Sequence, residues 1–135
     1  MKDCRSYLFQ QADKKYLTPK TQHLKSSMIT WTVKHFSALS PAELYSILRL
    51  RSEVFVVEQN CVFLDMDNKD QQCYHLMGWI GEDLVAYSRL VPPDISYDLP
   101  SIGRVVTAPK ARQTGAGKEL MQQSIDELFR LFGES

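Results

Sequence analysis

The stretch from Ser101 to Phe132 constrains this chain more than any other. It reads SIGRVVTAP, then KARQTGAGK, then ELMQQSIDELFRLF. Ile102 to Thr107 is short and rich in β-branched residues, the composition of a buried strand. Leu120, Met121, Ile125, Leu128 and Phe132 fall at helical spacing, with Gln122, Gln123, Asp126, Glu127 and Arg130 between them. Gly115-Ala116-Gly117 makes the turn that joins the two. Strand, glycine turn and helix start, in that order, form an anion site. Glycines let a ligand approach the backbone, and the N–H groups of a first helical turn point outward without partners. Arg112 and Lys118 flank the turn and can add charge-assisted bonds to phosphate.

Two common phosphate motifs do not fit. Leu120 stands where the dinucleotide fingerprint needs its third glycine, and Glu119 follows Gly117-Lys118 where a P-loop needs Ser or Thr. Arg112-Gln113-Thr114-Gly115-Ala116-Gly117 does fit another pattern. It resembles the [Q/R]-x-x-G-x-[G/A] loop of the GNAT superfamily of N-acetyltransferases, which holds the pyrophosphate of acetyl-CoA. The competing reading is a helix start that uses its glycines only to turn.

Composition sets outer bounds. A chain of 135 residues suits one domain and can bury a real core. At 44% hydrophobic and 24% charged it reads as globular. Its 16 basic and 16 acidic residues cancel, so no global field favours nucleic acid or an anionic membrane. Residues 1–28 carry six Lys or Arg and two Asp, which leaves ten basic against fourteen acidic beyond them. That first stretch is polar and aperiodic apart from Tyr7, Leu8 and Phe9, and reads as an extension; a short docked helix is the alternative. Cys4, Cys61 and Cys73 are odd in number and lack C-x-x-C spacing, which suggests reduced thiols, a cytoplasmic setting and no zinc site. No apolar run reaches membrane-spanning length, and no signal peptide is visible.

Beyond the extension, Ile29, Trp31 and Val33 alternate with polar residues as in a half-buried strand. Ser40-Pro41-Ala42-Glu43 announces a helix, with a capping box and Pro at N1. Its apolar phase shifts near Arg51, so a bend or two helices are expected between Pro41 and Glu58. Residues 59–72 read as a polar, solvated acidic loop. An EF-hand fails there, because Lys69 takes an acidic position and Asp70 the glycine. Cys73–Ile80 and Leu84–Val91 read as a hairpin, followed by a proline-rich loop from Pro92 to Pro100. Strand, helix, hairpin, strand, helix implies an α/β (α+β) three-layer domain.

Several separate blocks then carry the family resemblance. They are Leu50 to Cys61 (LRSEVFVVEQNC), Asp65-x-Asp67-x-x-Asp70, His75 to Trp79 (HLMGW), Leu84 to Leu90 (LVAYSRL) and Ile102 to Val106 (IGRVV). In content and order they resemble the ElaA-like branch of GNAT proteins, over residues 29–135. The resemblance implies a mixed, mostly antiparallel sheet flanked by helices. It also implies transfer of an acetyl group from acetyl-CoA to an amine by direct attack in a ternary complex, with no metal. The backbone of Val105, Val106 and Thr107 would bind the pantetheine arm as an added strand. The turn Arg112, Gln113, Thr114, Gly115, Ala116, Gly117 and Lys118 would hold the pyrophosphate.

For the proton, Glu58 and His75 are the candidates. Glu58 ends the signature helix beside a loop, although helix-end carboxylates are commonly just solvated. His75 is of a residue type that can titrate near neutrality, although strand histidines are commonly satisfied core residues. Arg51 and Arg89 are expected to pair with the Asp65–Asp70 loop. The family's domain runs on past this last helix, with further strands and a helix that often carries a Tyr to protonate the leaving thiolate. The chain therefore reads as a C-terminally truncated domain with an open strand edge. Two other readings follow: a non-catalytic module that binds CoA or a protein partner, such as a second copy, through that edge; and, more distantly, acyl-homoserine-lactone synthesis, from the pattern at Arg51 to Phe55.

Overall fold

A computed structural model of the chain describes residues 28–133. All but Met28 of the expected extension lies outside them. The alternating run after Met28 forms β1, Thr30–His35. The capping box is complete: Glu43 N–H donates to Ser40 Oγ at 3.0 Å, and Ser40 N–H donates to Glu43 Oε1 at 2.8 Å. It opens α1, Pro41–Arg51.

The expected bend near Arg51 is a change of winding. Ser52–Glu58 continues as a π-helical turn. Gln59 N–H donates to Val54 O and Cys61 N–H to Val56 O, both at 3.2 Å and both five residues back. The wider winding absorbs extra residues without breaking the helix. That explains the shifted apolar phase: Val54 and Phe55 still reach the core.

After a 3₁₀ turn at Asp70–Gln72 come β2, Tyr74–Ile80, and β3, Asp83–Val91. β4, Ser101–Thr107, leads into α2, Ala116–Phe132. The four strands form one sheet in the order β1-β2-β3-β4, with every pairing antiparallel. On one face α1 and the π turn bring Ile47, Leu50, Val54 and Phe55 against Met77, Val85, Tyr87 and Val106. On the other, Leu120 of α2 packs on Leu76, Ala86 and Leu90. This is the expected three-layer arrangement.

β4 is bulged. Tyr87 faces Val106 and Arg89 faces Gly103, so Arg104 and Val105 together oppose Ser88. Arg104 takes a left-handed φ of 50°. An extra residue of this kind bends its strand. Among the described residues no strand pairs with the outer edge of β4.

Candidate functional site

The start of α2 is fixed from two sides. Trp31 Nε1 on β1 donates to Glu119 Oε1 at 2.8 Å. Buried Ser124 on α2 bonds Ser88 on β3, Oγ to Oγ, at 2.8 Å. These contacts hold the helix's first turn beside the end of β4.

The connecting loop needs two left-handed residues, Gln113 at φ 69° and Gly115 at φ 88°. The hydroxyl of Thr114 donates to Ala111 O and accepts from Ala116 N–H at 3.3 Å. The helical ladder begins only with Glu119 N–H donating to Gly115 O, at 3.1 Å. The N–H groups of Gly117 and Lys118 therefore precede it, at the positive end of the helix dipole. Ala116 is buried, while Gly115 and the Lys118 side chain are exposed.

The strand supplies backbone selectively. Ala108 N–H donates to Val85 O at 2.8 Å. In an antiparallel pair, hydrogen-bonding direction alternates along the strand. Val106 therefore points its backbone groups at β3, and its side chain is in the core. Thr107 turns its carbonyl to the outer edge, where it accepts from Arg112, and Val105 lies in the bulge. Val106 is thus turned away from the edge where Val105, Val106 and Thr107 were all expected to offer backbone.

Arg112 gathers the remaining pieces. Its Nη1 donates to Glu58 Oε1 at 2.7 Å, and its Nη2 to Thr107 O at 3.3 Å. One guanidinium thus joins the end of the π turn to the outer edge of β4. Arg112, which opens the glycine loop, thereby brings Glu58 and Thr107 together. His75 does not join them. It is fully buried on β2. Its Nε2–H donates to Asp70 O at 2.9 Å, and its Nδ1 accepts from the Tyr87 hydroxyl at 2.7 Å. Burial pushes the ring below the usual imidazole range, against the pull of Asp70. His75 is a neutral, fully occupied core residue here, with no side facing the β4 edge.

The acidic loop is also not the solvated segment expected. Asp65 and Asp70 are buried. Arg51 donates to Asp65 at 2.8 Å and to Asp70 at 2.9 Å. Arg89 donates to Asp67 at 2.8 Å and to Asp70 at 2.9 Å. The pairings expected of Arg51 and Arg89 are present, but Arg104 was missed. From the bulge it donates to Asp65 at 2.8 Å and to Asp67 at 3.3 Å. Burial alone would raise Asp67 and Asp70; the bonds and charge of Arg89 and Arg51 outweigh it and hold both below the usual carboxylate range. Three cations and three anions cancel, so the loop is pinned without net buried charge. The expected set of three reduced thiols needs a further correction. Cys73 is free and buried, Cys61 is disulfide-bonded, and Cys4 lies outside the described residues. Spacing along the chain says little about which sulfurs meet in space.

An antiparallel sheet covered on both faces, with a bulged edge strand feeding a glycine-started helix, is the GNAT acyl-CoA N-acyltransferase fold. Residues 40–134 match the Acetyltransferase (GNAT) family, and the chain belongs to that family. It is 40% identical over 101 residues to Protein ElaA of Escherichia coli, covering 73% of this chain and 66% of that one. It is 42% identical over 103 residues to UPF0039 protein sll0451 of Synechocystis, covering 76% and 67%. An acyl-CoA N-acyltransferase from Pseudomonas aeruginosa superposes with a TM-score of 0.75 at 41% identity, over 78% of this chain and 74% of that one. The crystal structure of E. coli ElaA gives 0.75 at 36% identity, over 79% and 74%. The chain spans about two thirds of the length of the curated relatives it matches. Among the described residues no helix is long and apolar enough to cross a membrane.

Proposed function

We propose that this chain is an ElaA-like N-acetyltransferase that moves an acetyl group from acetyl-CoA to an amine. One observation carries the reading beyond family membership. The outward edge of β4 leads, through the loop that follows Thr107, to a glycine-started helix whose first N–H groups precede the ladder. An extended chain carrying amides suits the first element, and a diphosphate suits the second. Coenzyme A has both, in that order.

The residues of this edge and turn suit such a ligand. Val105 and Thr107 offer backbone groups for pantetheine. Gly117 and Lys118 offer N–H groups for the diphosphate, with the Lys118 ammonium beside them. In the reaction the amine nitrogen attacks the thioester carbonyl carbon, a C–N bond forms and the C–S bond breaks. The nitrogen loses a proton to a base, and the leaving sulfur takes one up. Glu58 is our choice of base, because it alone of the two candidates lies at the edge of β4. Holding donor and acceptor in one geometry supplies much of the acceleration in such a transfer.

Calorimetry with acetyl-CoA tests the reading on the full chain. One-to-one binding that Gly117→Val abolishes, with melting unchanged, is the expected result. No binding, together with concentration-dependent dimerisation, would overturn it in favour of an interaction module using the β4 edge.

A further inference from the structure

We infer that the side-chain carbonyl of Gln59 receives the acceptor amine, taking a hydrogen bond from one amine N–H and so turning the nitrogen lone pair toward the thioester. This rests on the acetyl-CoA reading above. Gln59 is only 9% exposed. Its Oε1 is buried and accepts no hydrogen bond among the described residues. An oxygen in that state is costly, and folded proteins keep few of them. Two other described polar atoms share it, and both lie elsewhere. Thr32 Oγ1 is on β1, at the opposite edge of the sheet from β4. Arg89 Nε belongs to a guanidinium whose two other nitrogens are bound to Asp67 and Asp70.

The place of Gln59 in the fold says what kind of partner suits it. Gln59 closes the π turn, where its N–H donates to Val54 O and Val57 O. Asn60 then turns the chain away with a left-handed φ of 50°. One residue earlier, Glu58 reaches Arg112, and Arg112 reaches Thr107 O on β4. Gln59 therefore sits where the π turn meets the end of β4, beside the strand along which the thioester would lie. The carbonyl end of a helical turn carries partial negative charge, which favours a cationic or N–H-bearing group. A side-chain carbonyl can only accept, so its partner must donate. The thioester end of acetyl-CoA has no N–H or O–H to give. The amine does. One N–H held by Gln59 fixes the direction of the nitrogen lone pair, which is the alignment that direct attack needs.

The test compares two conjugates by calorimetry on the full chain. Coenzyme A carboxymethylated on sulfur is joined to propylamine through an amide, or to propanol through an ester, so that the two differ only at the N–H. The amide is expected to bind about tenfold more tightly, the scale of one buried hydrogen bond. Gln59→Met keeps the length of the side chain and removes the carbonyl. In that variant the two conjugates should bind alike and acetyl-CoA as before. Its melting temperature should be unchanged or higher, because an unpaired polar atom has gone. A glutamine that only holds the fold would instead leave a less stable Met variant. Equal binding of the two conjugates by the unmodified chain, a comparison that needs no variant, overturns the inference. A preference that survives Gln59→Met overturns it too, since another group then reads the N–H. So does a Met variant that melts clearly lower or does not fold, because the oxygen then has a partner in solution, such as an ordered water. Binding of acetyl-CoA but of neither conjugate removes the amine from Gln59 and leaves the acetyl-CoA reading standing. Absence of acetyl-CoA binding by the unmodified chain removes that reading, and this inference with it.

Discussion

Arg51 and Asp70 meet at 2.9 Å in the interior, with the arginine side chain 0% exposed. The same guanidinium holds Asp65 at 2.8 Å. Removing it leaves two buried carboxylates short of a partner, and an uncompensated buried charge is among the most expensive single defects. Arg51→Met is expected to cost about 3–5 kcal/mol in urea denaturation. Arg51→Lys should recover only part of this, since an ammonium cannot bridge the two carboxylates as a planar fork does. A Lys variant as stable as the original would mean that charge alone, not the fork geometry, holds the loop.

How far the sequence reaches shows in the same network. Arg51 and Arg89 were legible as partners of the loop, because the loop's acids outnumber its single Lys69 and needed cations. Arg104 was not. Its part depends on a left-handed φ of 50° at a bulge, and nothing in Ile102-Gly103-Arg104-Val105 announces one. The helix after Arg51 was half legible: the apolar phase revealed a change, but not that π winding would carry it. Capping at Ser40 and the order of strands read directly, because both follow from short local patterns. The meeting of Glu58 with Arg112, 54 positions apart, is purely tertiary. So is the inward turn of Val106, which depends on register.

Stability should depend on pH in two steps. The ring of His75 is held below its usual range by burial. The unfolded chain therefore binds this proton more readily, and stability is lost as pH falls from about 6.5 toward the folded value. Asp67 and Asp70 are likewise held low by Arg89 and Arg51. Their contribution is intact above the unfolded carboxylate range, near pH 4, and fades below it. Melting temperatures from pH 8 to 3 should begin to fall near 6.5 and steepen below about 4. In His75→Gln the first step should vanish while the second remains. An unaltered onset near 6.5 in that variant would assign the first step to another group.

Gly115 precedes α2 with φ 88°, a conformation that penalises any Cβ. Gly115→Ala is expected to cost about 1–2 kcal/mol. It should also weaken acetyl-CoA binding, because the Gly117 and Lys118 N–H groups lose their aim. Gly103 is the matching control: a Cβ there meets nothing within 4 Å, and its φ is not left-handed. Gly103→Ala should leave both melting and binding near the original values. Equal effects at the two glycines would show that conformation at the turn is not what the ligand reads.

Gly78 tests the link between β1 and the head of α2. A Cβ there would lie 2.7 Å from Trp31 Cζ3 and 2.9 Å from Ile29 Cγ2, closer than real contacts allow. The indole has to move, and it is the same indole whose Nε1 donates to Glu119 in the first turn of α2. Overpacking of this kind typically costs about 1–3 kcal/mol. Gly78→Ala is therefore expected to lower stability by that amount, shift Trp31 fluorescence and weaken acetyl-CoA binding, although residue 78 is remote in sequence from the loop. Trp31→Phe, which removes the N–H but keeps a ring in the gap, should reproduce the loss of binding with a smaller loss of stability. If Trp31→Phe binds as the original does, the indole serves packing alone, and the helix start is set by its contacts with β3, such as the Ser88–Ser124 bond.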